Sequence, residues 1–471
     1  MDKIMEFLND ISTQVSNALY SYILIILLVL GGLYFTLRTK FVQFRLLKEQ
    51  FRAVTEKTDK NSVSSFQALM VSTASRVGTG NIIGVSTALC LGGFGSVFWM
   101  WLIALLGGAS AFVESTLAQI YKKKGPDGSY GGPAYYIEAA LKSRPLAIVF
   151  SVFLVLTYGV GFNMLASYNL QSTFSAYSFY NATYSPWIIG GITAALVAFC
   201  LFGGGKRIIK TTSVLVPIMG LAYILVALVL TLLNVKTLPA ILARIFTEAF
   251  DLQAIFGGFA GSCVMYGIKR GLFSNEAGVG SAPNASASAE VSHPVKQGLV
   301  QVLSVFIDTL LVCTATAFMC MCSGVEPSAD ISGAAYVQAA TQKMLGDFGP
   351  VFITLSMMLF AFTTLLGNLF YVDKSLCYML KKVPGKKFMG VYYILASLLI
   401  FVGAGLSADL LWNIADITMG GMALINIPVI FLLSKYAIRA LNDYTAQRKQ
   451  GKEPEFHAES IGLPHKVDYW D

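Results

Sequence analysis

The chain has 471 residues, 55% of them hydrophobic and only 13% charged, and its mean hydropathy is +0.64. Soluble domains carry about 25% charge. The composition therefore excludes a soluble enzyme and fits a polytopic membrane protein, with room for roughly ten to twelve helices at about 20 residues per crossing.

In chain order the first expected crossing is 18–37. The stretch before it carries Glu6 and Asp10, the wrong flank for a cleavable signal. A basic loop follows, with Arg38, Lys40, Arg45, Lys48, Arg52, Lys57 and Lys60.

The second segment, 65–91, contains Ala74-Ser-Arg-Val-Gly-Thr-Gly-Asn-Ile-Ile-Gly84. Each helical glycine costs about 1 kcal/mol relative to alanine. Gly78 and Gly80, bracketing Thr79, therefore predict a helix that breaks at mid-membrane depth. Lipid cannot satisfy the backbone groups a break frees. The N–H groups of Thr79 and Gly80, at the positive end of a half-helix, suit a carboxylate. The carbonyls of Ala74 and Val77 suit a hard cation such as Na⁺, with a hydroxyl from Thr79 and an amide oxygen from Asn81 as further ligands. Arg76 lies inside the break. It either attracts the substrate carboxylate or, the favoured reading, pairs with Glu114 or Glu276, because a buried unpaired arginine is costly.

Segments 95–120, with Glu114, and 146–174 come next. Asn163 in the latter is a candidate for the substrate wall. Segments 186–203 and 212–234 complete the first half. Residues 238–251, and later 331–345, read as short amphipathic helices in outside loops, either solvated surface helices, the favoured reading for each alone, or an external cover.

Segment 253–289 is too long and glycine-rich for one plain helix and is expected to be a second broken one. Carbonyls freed around Cys263 to Gly267 would meet a substrate amine. Met265 and Phe273 could wall a small apolar pocket. Lys269, Arg270 and Glu276 are costly at depth; they either line a functional path or mark the cytoplasmic mouth and pair there. Segment 296–323 holds Asp308, which needs a partner or water. In segment 349–379, Thr363 and Thr364 either bond their own i−4 carbonyls or complete the cation site begun at Ala74 and Val77. Segments 389–406 and 409–434 close the count at eleven. The polar stretch after Lys435 reads as a solvated end.

Every second loop is basic: after the first come Lys122 to Lys124 with Lys142 and Arg144, then Lys206, Arg207 and Lys210, then Lys381, Lys382, Lys386 and Lys387, then the C-terminal cations. By the positive-inside rule the N-terminus lies outside and the C-terminus in the cytoplasm. Setting the first helix aside leaves two sets of five, each opened by a broken helix. This is the pattern of an inverted-repeat transporter, with its site where the breaks meet. The expected division is an N-terminal helix and basic loop (1–64), a first repeat (65–234), a second repeat (235–434) and a tail (435–471).

Other chemistries lack their residues. The cysteines Cys90, Cys200, Cys263, Cys313, Cys320, Cys322 and Cys377 show no zinc spacing, and the three histidines form no HExxH pair. Gly203-Gly-Gly-Lys-Arg207 lacks the flanks of a phosphate loop, so no ATP hydrolysis is expected. Neither paired membrane aspartates for an enzyme nor the continuous polar stripe of a passive channel is found.

Val77-Gly-Thr-Gly-Asn-Ile82, Gly92-Gly-Phe-Gly-Ser-Val-Phe-Trp-Met-Trp101, Gly131-Gly-Pro-Ala-Tyr-Tyr136, Lys269-Arg-Gly-Leu-Phe-Ser-Asn-Glu-Ala-Gly278 and His293-Pro-Val-Lys-Gln-Gly298, followed by Phe306-Ile-Asp308, resemble the alanine or glycine:cation symporters of prokaryotes over nearly the whole length. The resemblance implies an all-α LeuT-type five-plus-five fold preceded by one extra helix. It also implies Na⁺-coupled uptake of a small neutral amino acid across the plasma membrane, alanine and/or glycine first, with no organic cofactor. Glutamine, D-alanine or H⁺ coupling are the alternatives within the class. Carried over by the Val77-to-Asn81 match, Thr79 and Gly80, with Gly78 allowing close approach, would hold the carboxylate. Ala74, Val77, Thr363 and Thr364 would hold Na⁺.

Overall fold

The computed structural model describes residues 2–56, 58–59, 62–125, 128–251, 262–463 and 467–470, with side chains from Asn9 onward. Lys57, Lys60, residues 252–261 at the start of the expected second broken segment, and His465 and Lys466 lie outside the described residues, as does the side chain of Glu6.

Among the described residues the fold is all helical; one isolated bridge, Lys123 to Tyr130, is the exception. Among the described residues eight helices are long and apolar enough to cross a membrane: Asn9–Arg38, Gly95–Ile120, Arg144–Ala176, Gly204–Leu233, Pro294–Cys322, Phe348–Met379, Lys386–Gly403 and Ala408–Lys449. Ser185–Leu201 and Gly80–Gly92 are shorter apolar helices.

The sequence sets where these helices start. Ser64 and Gln67 form a reciprocal capping box at the head of Ser65–Arg76, satisfying two otherwise orphan donors. Pro133, Pro186 and Pro294 open their helices, where the missing N–H costs nothing. Helices 185–201, 204–233 and 386–403 expose Ile188, Ile192, Leu196, Val214, Ile218, Leu221, Ile394 and Leu398. Exposed apolar rows of this kind are a lipid face. Helices 65–76 and 263–275 are buried nearly all round.

The two ends of the bundle are distinct. At one end, helix Leu238–Ala249 lays Glu248 across the start of helix 95–120. Its carboxylate accepts from the N–H groups of Phe94 at 2.6 Å and Gly95 at 3.3 Å. Arg244 pairs with both Glu248 and Glu326 and lies over the Phe94 ring. Helix Ala334–Leu345 docks at the same end, where Ser86 Oγ donates to the Gly333 carbonyl at 2.7 Å. Both expected loop helices are thus present and packed on the bundle.

The basic segments meet at the other end, and here the expectation of a solvated tail fails. Helix 408–449 runs on well past Lys435, and the chain beyond it folds back. Phe456 N–H donates to Ser292 O at 3.0 Å, Ser292 Oγ to Pro454 O at 2.7 Å, and Trp470 Nε1 to Gln119 O at 2.8 Å. Glu453 pairs with Arg52, Lys296 and Arg448. The tail carries enough apolar surface, Phe456, Ala458, Ile461 and Val467, to bury itself. Counting its charges alone misses that.

Candidate functional site

The first break falls where Gly78 and Gly80 predict it. Helix Ser65–Arg76 ends at Val77, whose ψ of 86° leaves the helical range, and the chain rewinds as Gly80–Gly92. The new helix opens with a π-type turn, Gly80–Gly84, a distortion frequent at functional sites. Asn81 closes the break on itself: its Oδ1 accepts the Gly78 N–H at 2.7 Å. That oxygen, expected as a cation ligand, is committed to the backbone.

The expected second break, Cys263 to Ser281, is helical in its first part and turns in its last, while the start of its segment, 252–261, lies outside the described residues. Cys263–Asn275 is a regular helix, so carbonyls at Cys263 to Gly267 are not freed by unwinding. The chain turns instead at Glu276, Gly278 and Gly280, with φ of 53°, 83° and 90°. The left-handed conformation at Glu276 costs on the order of 1–2 kcal/mol for a residue with a Cβ. A network holds it there. Glu276 accepts from Ser281 Oγ at 2.6 Å and from Ser75 Oγ, across the first break, at 3.1 Å. Ser75 Oγ also reaches Asn368 Oδ1 at 2.7 Å, and Asn368 Nδ2 donates to Asn163 at 2.9 Å. Glu114 faces Gly278, and Asn426 ties Glu114 to the Gly278 carbonyl, at 2.8 and 3.0 Å.

Asp308 joins the two broken segments a second time. It accepts from Asn81 Nδ2 at 2.7 Å, Ser274 Oγ at 2.9 Å and Thr309 Oγ1 at 2.8 Å. The carboxylate expected to need a partner therefore has three donors, and its own segment, Phe306–Cys313, is another π-type turn.

Between the breaks sits a cavity of about 10 Å³, lined by Ser75, Arg76, Gly78, Thr79, Gly80, Phe162, Phe273 and Thr364, room for about one water-sized sphere. A Cβ on Gly78 would fall on Thr364 Oγ1, and one on Gly80 would meet the Phe273 ring at 2.8 Å. Thr79 Oγ1 accepts from Asn169 at 3.2 Å. A larger cavity, about 780 Å³, opens at the basic end beside Ser62 and Gln67, Ser288 beyond the second break, and Lys374.

Thr364 Oγ1 donates to the Ala74 carbonyl at 3.1 Å, which brings two of the expected cation ligands together. Thr363 does not join them. Its hydroxyl bonds its own Leu359 carbonyl at 3.0 Å and faces Met219, because adjacent residues on a helix point about 100° apart.

Arg76 forms no ion pair with Glu114 or Glu276. It is 2% exposed and donates once, from Nη1 to Gln301 at 2.9 Å, leaving Nε and Nη2 without a hydrogen-bond partner. Lys269 and Arg270 do not pair with Glu276 either. Both bind Asp416, at 2.9 and 3.3 Å. They lie toward the end of helices 238–249 and 334–345, not the basic end, since Cys263 Sγ donates to the Glu248 carbonyl at 3.4 Å. Gly267 is taken up by packing, as a Cβ there would strike Ser96 and Trp99. Met265, eight residues before Phe273 and so about 12 Å along the axis, is buried but does not line the cavity. Asn163 stands behind it, on Asn368.

Sequence reading missed Asn169, Asn368, Asn426 and Asp416. Of these only Asn426 is a lone polar residue in an apolar run, the one available signal; the others sit among further polar residues.

Compared with known proteins, residues 5–458 match the model of the sodium:alanine symporter family. The chain is 42% identical to a Bacillus subtilis (strain 168) protein named "Probable sodium/glutamine symporter GlnT", over 100% of this chain and 97% of that one. It is 35% identical to the sodium/alanine symporter AgcS of Methanococcus maripaludis, over 94% and 99%. Among solved structures, a nucleobase-cation-symport-1 family transporter in a closed conformation aligns with TM-score 0.42 and 12% identity, over 86% of this chain and 82% of that one.

Proposed function

The chain belongs to the sodium:alanine symporter family, a family of carriers and not enzymes, and from that premise we propose that it imports a small neutral amino acid, alanine and/or glycine, with Na⁺. The observation that carries the reading is the meeting of Thr364 with Ala74 beside the glycines of the first break. The Ala74 and Val77 carbonyls and the Thr364 hydroxyl are neutral oxygens of the kind Na⁺ takes. Bound there, the ion fixes the end of helix 65–76 against helix 348–379.

The substrate carboxylate then docks on the N–H groups of Thr79 and Gly80, within the field of Arg76. Its amine meets carbonyls at the C-terminal end of helix 263–275, the negative end of that half-helix. Because Na⁺ and substrate share the first break, each tightens the other equally. Release follows when the bundle rocks and the site joins the cavity beside Ser62 and Lys374. The closed site, walled by Phe162 and Phe273, has to widen for any amino acid and widens least for alanine or glycine.

The frame for this reading is eleven crossings: one N-terminal helix and two five-helix repeats (65–234 and 235–434) in a LeuT-type arrangement in the cell membrane. The N-terminus is outside and residues 435–471 are cytoplasmic. The name of the Bacillus subtilis relative favours glutamine as the second reading.

Uptake of radiolabelled L-alanine into proteoliposomes, with and without an inward Na⁺ gradient, tests both. Na⁺-driven accumulation blocked by glycine is the expected result. Accumulation of glutamine alone, or under a proton gradient alone, overturns the substrate or the ion.

A further inference from the structure

Residues 42–54, at the basic end, are helical and inside out. Val42–Arg45 packs on helix 95–120, and Leu47–Val54 on helix 294–322. The side turned inward carries Gln43 and Gln50, both buried. Gln43 Nε2 donates to Thr36 Oγ1 at 3.0 Å and to Leu105 O at 3.2 Å, and Gln50 Nε2 donates to Gln43 O at 2.8 Å. The side turned outward carries Phe44, Leu47 and Phe51, each about half exposed, at the three- and four-residue spacing of one helix face. A helix on a protein in water has the reverse order, with its apolar row inside. The glutamine contacts fix which side faces out, so the apolar row cannot roll inward.

The chain before this segment sets the depth of that row. The first crossing, Asn9–Arg38, exposes Leu30, Leu33 and Leu37, a lipid-facing row, and carries no charge between Asp10 and Arg38. An uncharged run of that length spans the hydrocarbon core, about 30 Å thick, and leaves Arg38 at headgroup level. The chain then turns at once. Lys40 and Phe41 are left-handed, with φ of 55° and 57°, a conformation that residues with a Cβ rarely adopt, and the Phe41 N–H donates to Thr36 O at 2.8 Å. Segment 42–54 therefore starts at the headgroups, and its apolar row continues that of the crossing. Arg45 and Lys48 are exposed beside the row. The segment's carboxylate, Glu49, is turned away to Tyr444 and Arg448, at 2.7 and 3.0 Å. An apolar row flanked by cations is how a helix lies in a membrane interface and draws anionic lipid.

We propose that segment 42–54 is a lipid seat: Phe44, Leu47 and Phe51 enter the leaflet at the basic end, and Arg45 and Lys48 select lipids whose phosphate headgroup is net anionic. Through Glu49 the seat ties that leaflet to helix 408–449, which carries the docked tail. It requires only the membrane setting, and depends neither on the solute carried nor on which face is cytoplasmic.

The test places a photoreactive phenylalanine analogue, p-benzoylphenylalanine, at Phe51 of the full-length protein. The protein is reconstituted in vesicles of equal phosphatidylglycerol and phosphatidylcholine and irradiated, and the peptide bearing residue 51 is weighed. Lipid adducts are expected, with phosphatidylglycerol favoured about fivefold, the ratio that about 1 kcal/mol from one basic side chain near the headgroup gives. Arg45→Gln combined with Lys48→Gln should bring the ratio near one. No lipid adduct, or adducts with protein alone, a second copy included, overturn the seat. A ratio of one in the parent, or an unchanged ratio in the double variant, overturns selection by Arg45 and Lys48. Should the analogue at residue 51 prevent folding, Leu47, one turn earlier in the same row, takes it with the same readings. Selective adducts in a protein that takes up no alanine would overturn the solute assigned above and leave the seat standing.

Discussion

Thr364 and Ala74, 290 positions apart, meet through a hydroxyl-to-carbonyl hydrogen bond of 3.1 Å, while Thr363, its immediate neighbour, bonds its own helix. Consecutive threonines thus have different duties, and one pair of substitutions separates them. Thr364→Ala is expected to raise the Na⁺ concentration for half-maximal uptake about tenfold or more, the scale of one lost contact between an oxygen and a charge. Thr363→Ala should leave it within about twofold, because the lost bond is a local one to a helix carbonyl. The Na⁺ dependence of alanine uptake, measured for both, checks this; equal effects would refute the division.

Gly78 allows no side chain, since a Cβ there would fall on Thr364 Oγ1. Gly78→Leu should abolish uptake while the protein still inserts and elutes as a folded species in size-exclusion chromatography. Normal uptake by the variant would remove the close approach from the account.

Asp308 accepts hydrogen bonds from Asn81, Ser274 and Thr309. In Asp308→Asn one acceptor becomes a donor facing donors. The expected cost is about 2 kcal/mol or more, read as a lower melting temperature in detergent, together with loss of uptake. Unchanged melting would show that the three contacts contribute little.

Phe273 borders the cavity and lies within 2.8 Å of where a Gly80 Cβ would be. Truncation to alanine should widen the site. Competition by glutamine against labelled alanine is expected to strengthen relative to glycine. If the competition order is unchanged, Phe273 does not set substrate size.

At the basic end, His293 is fully buried between Tyr444 and Phe456 and lies 3.2 Å from Asp443. Burial pushes its pKa down to about 4. The unfolded or undocked chain, with a value near 6.5, then binds more protons between those limits. Docking is therefore favoured above about pH 6.5 and weakens as pH falls toward 4. Limited proteolysis should cut near residue 456 faster at pH 5 than at pH 7.5. His293→Gln, which does not titrate, should flatten the difference.

The first break was legible because Gly78, Gly80 and Asn81 fall together in an apolar run, where nothing but a functional distortion or a close crossing explains them. The second was legible as a break between Cys263 and Ser281, but the carbonyls expected to be free in it, Cys263 to Gly267, belong to a regular helix and the turn is confined to its last residues. Gly267 and Gly271 are small because helix 95–120 crosses there, and a Cβ would strike Ser96 or Ile103. Gly278 and Gly280 are glycines because their φ is positive. Composition cannot tell these two needs apart. Partners of buried charges were harder still. Asp416 is 146 residues from Arg270, and only the folded chain brings them together. The tail's docking depends on a few apolar residues spaced between charges, too sparse a pattern to outweigh the charge count.

Glu276 joins the two halves of the site in a way that bears on fidelity. Ser75, whose hydroxyl it accepts at 3.1 Å, directly follows Ala74, so any displacement of the Ala74 carbonyl passes through one peptide unit and one hydrogen bond to the second break. A carrier wastes its gradient whenever the ion crosses without its passenger. With so short a linkage, an ion held at the first break, as proposed, would on leaving disturb the second in the same event. Uncoupled slippage would then require breaking the Ser75–Glu276 contact, not merely waiting for it to relax.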